Sequence, residues 1–128
     1  MSRRSLIVVD SITQAVSGAV GAVIVCGSHG GISSGRYALQ ASPYAVVFND
    51  AGVGRDAAGI AALALLQGAG IAACTVAHTS ARIGDARSTL QEGTLTHCNV
   101  SASALGARVG MACQDWVDLL ALPAARAT

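Results

Sequence analysis

The stretch "AVIVCGSHGG", Ala22 to Gly31, runs from an apolar segment directly into a serine, a histidine and two glycines. Its apolar part does not alternate with polar residues, as a strand with one wet face would. It therefore suits a strand covered on both faces, the kind found in parallel sheets. The pattern recurs along the chain. "LIVVD" from Leu6, "YAVVFND" from Tyr44 and "IAACTVAH" from Ile71 are further apolar runs that end in turn residues, and "TLTHCNV" from Thr94 is a more polar run with the character of an edge strand.

Segments of helical length separate these runs. "SITQAVSGAV" follows the first and "SSGRYALQAS" the second. "DAAGIAALALLQ" follows the third, with Asp56 placed to cap its start and Gly68 its end. After the fourth, Asp85 and Gly93 bracket a short helix, and "MACQDWVDLLAL" is amphipathic, with Trp116, Leu119 and Leu120 opposed to Asp115 and Asp118. Strand alternating with helix predicts a single α/β domain over residues 1–128. The expected form is a three-layer doubly wound sheet of four to five mainly parallel strands, Rossmann-like or flavodoxin-like.

Composition narrows the function. The 128 residues are 52% hydrophobic but only 3% aromatic, so the core is built from Ala, Val, Ile and Leu. The net charge is +1 and no charge run exceeds Arg3-Arg4, which argues against a nucleic-acid footprint. The cysteines Cys26, Cys74, Cys98 and Cys113 show no C-x-x-C spacing and read as reduced thiols of a cytoplasmic protein. The uncharged run from Ala57 to Ala77 has the length of a membrane span, but "QGAG" at Gln67–Gly70 interrupts it with a helix stop, so no membrane contact is expected. Few charges and spare apolar surface favour a homo-oligomer.

In a parallel sheet every turn that follows a strand lies on one edge, where ligands of open α/β sheets bind, near a switch in strand order. These turns are Asp10-Ser11, "GSHGG" (27–31), "NDAGVGRD" (49–56) and "AHTSARIGDARS" (77–88), and they hold nearly all the ionisable residues of the first 90 positions. The turns at the opposite edge hold none. Solvation alone would charge both edges, so the asymmetry points to a site.

Within "GSHGG", Ser28, Gly30 and Gly31 are candidates to present N–H groups to an anion or developing oxyanion. His29 is either a general acid or base, since histidine titrates near neutrality, or a polar stop that bonds a neighbouring loop. In the next turn Asn49 and Asp50 stand at a strand end, and Gly52 and Gly54 form a G-x-G loop before a helix, a weak phosphate-loop pattern that lacks the lysine of a P-loop. Asp50 is placed to orient a histidine, bind a metal or hold a ligand hydroxyl. The third turn offers His78, Ser80, Arg82 and Arg87, with the arginines suited to a bidentate grip on a carboxylate or phosphate, unless Arg82 pairs internally with Asp85. His97 and Asn99 would join only if the fifth strand were parallel.

The expectation is therefore an enzyme, a hydrolase or an isomerase or lyase, that acts on a small anionic molecule by acid–base chemistry of His29, Asp50 and His78. No nucleotide cofactor is expected. A non-catalytic binding module or a subunit of a larger enzyme is the alternative. A divalent metal on His29, Asp50 and His78 is a third reading. Over Asp50–Gly54 the turn is similar to the "DDGVG"-like turn of hydrogenase-maturation endopeptidases, which hold a metal with acidic and histidine side chains on an α/β sheet. Here the second acid is replaced by Ala51, and the turn follows the third strand rather than the first.

Overall fold

A computed structural model describes residues 4–15 and 19–121. It shows a three-layer α/β domain. Five strands, β1 (Leu6–Val9), β2 (Val23–His29), β3 (Ala45–Asn49), β4 (Ala72–Val76) and β5 (Leu95–Cys98), lie in the order β1-β2-β3-β4-β5. The first four are parallel, and β5 runs antiparallel to β4.

The layers follow from that order. Parallel crossovers that step in one direction and keep the right hand must all cross the same face. Accordingly the short 3-10 turn Ile12–Gln14, α1 (Ile32–Ala41) and α2 (Ala61–Gln67) cover one face, where Ile12, Ala38, Ala62 and Leu66 pack on Ile24, Val46, Phe48 and Ala73. Once β5 reverses direction, α3 (Ala86–Glu92) and α5 (Cys113–Leu120) cover the other face, where Leu90, Trp116 and Val117 meet Val25, Val47, Cys74 and Val76. Strands covered twice have no wet face to mark with polar residues, which is why β3 and β4 are buried at every position. Because the strand order never reverses, this sheet has no switch point to open a crevice. β5 starts beside the end of β4, with Leu95 paired to Val76.

Local signals were uneven guides. Asp85 caps α3 by accepting from Ser88 N–H, and Gly68 and Gly93 close α2 and α3. The expected helix after β1 is instead the 3-10 turn Ile12–Gln14, held by a capping box between Ser11 and Gln14, and residues 16–18 of that expected helix lie outside the described ones. Asp56 does not cap α2. It sits at φ 54° in a left-handed segment, and α2 begins only at Ala61. The fifth run continues into α4 (Val100–Ala104), whose start Asn99 caps through Ala102 N–H. The 57–77 run is divided between the 3-10 segment Arg55–Ile60, α2 and β4, and among the described residues no helix is long and apolar enough to cross a membrane.

Candidate active site

Asp50 is the centre of the polar edge. It follows β3 directly and is 5% exposed, yet both carboxylate oxygens have partners. Oδ1 accepts from Gly52 N–H at 2.8 Å and His78 N–H at 3.1 Å, and Oδ2 accepts from the Thr96 hydroxyl at 3.0 Å. The His78 ring adds a fourth contact, with Nδ1 at 3.5 Å from Oδ1. Burial pushes this carboxyl up, but the bonds from Gly52, Thr96 and His78 outweigh it and hold the group below the usual aspartate range. The result is a stable buried anion beside an imidazole whose side chain is 50% exposed.

Thr96 was invisible in the sequence, and a bulge explains why. Thr75 pairs with His97 and Val76 with Leu95, so Thr96 is an extra residue on β5. A bulge bends its strand and re-aims a side chain, and here it turns the Thr96 hydroxyl towards Asp50. The same hydroxyl lies 3.0 Å from Thr75 Oγ1 and 3.2 Å from His97 Nδ1. His97 thus joins the network from an antiparallel strand, against the expectation that only a parallel β5 would bring it there. Asn99, at the far end of β5, is structural: its amide bonds Ala73 N–H and the Leu63 and Ile71 carbonyls.

The loop that carries Gly52 is held in an unusual shape. Ala51, Val53, Asp56 and Ala57 all have φ between 52° and 69°, a left-handed conformation that costs non-glycine residues about 1–2 kcal/mol each. Gly52 and Gly54, at φ 76° and 73°, occupy the same region without that penalty. The shape turns the loop's N–H groups inward. Ala51 donates to Asn49 Oδ1, Gly52 to Asp50 Oδ1 and Val53 to the Asp50 carbonyl, so the G-x-G stretch does not offer the expected phosphate cradle. At Gly52 the bare Cα also lets the His78 ring approach, since a Cβ there would lie 3.3 Å from its Cε1.

The glycines of "GSHGG" serve packing rather than an oxyanion. Gly30 N–H donates to the Asn49 carbonyl and Gly31 N–H to His29 Nδ1, so neither is free for a ligand. A Cβ at Gly30 would collide with the Gly59 carbonyl at 2.6 Å, which shows why that position is bare. Ser28 Oγ accepts from Ile12 N–H. His29 is exposed, and it makes no hydrogen bond or ion pair with Asp50 or His78 among the described residues. It instead borders a cavity of about 400 Å³ between the start of α1 and the 51–61 segment.

The remaining candidates divide in two. Asn49 is fully buried, with its amide donating to the Ala81 carbonyl, and Ser80 is engaged with Ala77 and Thr94; both shape loops. Arg82 and Arg87 are exposed and make no ion pair among the described residues, so the alternative of an Arg82–Asp85 bridge is not seen there. Asp85 is occupied at the α3 cap, as is Asp10, which accepts from Ala86 N–H.

His29, Asp50 and His78 do not assemble as a metal site. Among the described residues no three His, Cys, Asp or Glu side chains are placed to hold an ion. All four cysteines are free, and Cys26, pushed up to about 12 by burial, is no nucleophile. Trp116 is fully buried and donates to the Leu105 carbonyl, a core residue rather than a binding platform. Neither a family model, nor a curated protein, nor a solved structure matches this chain.

Proposed function

We propose that the protein is a small-molecule enzyme that moves a proton with His78, held and charge-balanced by Asp50. The observation that carries this reading is the pairing of a buried, fully hydrogen-bonded carboxylate with a half-exposed imidazole 3.5 Å away. Asp50 facing Nδ1 selects the tautomer that carries its proton there and leaves Nε2 bare as the base. When Nε2 takes a proton from substrate or water, the carboxylate steadies the imidazolium, and the separation shortens as charge develops. These parts serve hydrolysis, isomerisation or elimination alike.

An anionic group on the substrate is consistent with the exposed Arg82 and Arg87 on the same sheet edge, which make no ion pair among the described residues. A binding module would need no buried carboxylate behind an exposed imidazole, and the pair therefore favours the enzyme. The test is a screen of small metabolites by thermal shift, with product analysis of each hit. His78→Ala should lower kcat for a converted compound by about 10²–10⁴ while leaving its binding largely intact. Binding without conversion of any hit would instead assign a module. Light scattering at micromolar concentration tests the homo-oligomer.

A further inference from the structure

The cavity beside His29 differs in kind from the Asp50–His78 pair. Its walls include Gly31, Ile32, Ala51, Val53 and Ala58, and among the described residues His29 is the one lining side chain that can hydrogen-bond and no arginine lines it. Its volume of about 400 Å³ lies at the low end of small-molecule sites, about 300–1,000 Å³, which suits a single ring and excludes a dinucleotide. Gly31 N–H donates to His29 Nδ1 at 3.1 Å, so the neutral ring carries its proton on Nε2 and offers a donor, not an acceptor.

From the volume, the apolar walls and that single donor, we infer that this cavity binds an uncharged, ring-sized molecule whose carbonyl oxygen accepts a hydrogen bond from His29 Nε2–H. Burying such a ring removes apolar surface from water on both sides, whereas a carboxylate placed there would lose its hydration without a cation to replace it. The carbonyl sets orientation and the walls supply affinity. This goes beyond the reading above, whose anionic substrate and Asp50–His78 pair it does not use.

The probes are cyclohexanone, the acceptor-free benzene and the anionic benzoate, each titrated into the intact protein while backbone amide NMR shifts are followed. Cyclohexanone should saturate shifts at Ala51, Val53 and Ala58, and benzoate should not. Ala58→Leu and Ala61→Leu each place a larger side chain at the cavity wall and should weaken cyclohexanone roughly tenfold or more, with unchanged folding by circular dichroism. His29→Ala should weaken cyclohexanone roughly fivefold or more and leave benzene within about twofold, because only the ketone uses the ring N–H. His78→Ala should leave cyclohexanone binding within about twofold, so loss of the proton-transfer reading and loss of this one are told apart.

The inference is overturned if cyclohexanone gives no saturable shift at these amides. It is equally overturned if benzoate binds there more tightly, if neither leucine variant weakens cyclohexanone, or if the shifts follow protein concentration alone, which would put a second copy of the chain in the cavity.

Discussion

Two histidines stand at the same edge of the same sheet, His29 as the last residue of β2 and His78 just after β4, and their surroundings are opposite. His29 is exposed, and its ring accepts a hydrogen bond from Gly31, two residues further on. His78 has behind it a carboxylate that is 5% exposed and is bonded by residues from its own loop, from the turn after β4 and from β5. Position at a strand end makes a histidine available. A buried, satisfied anion behind it orients its ring, and of these two histidines only His78 has one.

That contrast predicts unequal mutations. Asp50→Ala should be the most damaging, because it removes the acceptor shared by the Gly52 and His78 N–H groups and the Thr96 hydroxyl at once. A loss of about 2–4 kcal/mol in denaturant unfolding is expected, against less than about 1 kcal/mol for His29→Ala. Equal losses would break the comparison. Next comes Thr96→Val, which keeps the shape of the side chain and removes the hydroxyl that holds Oδ2, for about 1–2 kcal/mol. Thr96→Ser should restore most of it, and a serine variant as weak as the valine one would show that packing, not the hydroxyl, matters there.

A smaller effect is expected at Gly52. Gly52→Ala adds a Cβ at φ 76° against the His78 ring and should cost about 1 kcal/mol, with a proportionally larger fall in activity because the ring is displaced. The smallest effect is in pH. Asp50 is held below the usual aspartate value of about 3.9, so its contribution to stability is complete above that value and is lost as pH falls through the lower folded value. In Asp50→Asn that part of the acid slope should vanish, while His29→Ala should keep it.

Much of this arrangement could be read from the sequence, because local patterns encode it. Apolar runs without alternation mark strands buried on both faces, and turns rich in polar residues after each of them mark the shared edge that brings Asp50 and His78 together. Capping by Asp85 and Gly93 is equally local. What escaped depends on partners distant in sequence. Thr96 reaches Asp50 only through a bulge in an antiparallel strand, and a one-residue register shift leaves no mark in "TLTHCNV". Asp56 looks like a helix cap until the left-handed course of residues 51–57 moves the helix start to Ala61. Gly30 and Gly31 read as N–H donors at a strand end, yet whether those groups face a ligand depends on Asn49 and on the His29 ring.

The claim that Asp50, and not location alone, prepares His78 is tested most directly by imidazole tautomers, read from long-range proton–nitrogen correlation at a pH where both rings are neutral. Opposite states are expected in one molecule: the proton on Nε2 in His29, whose Nδ1 accepts from Gly31, and on Nδ1 in His78, which faces Asp50. Asp50→Asn should erase the preference at His78 and leave His29 unchanged. Finding His78 protonated on Nε2 in the unaltered protein would show that Asp50 does not set its tautomer.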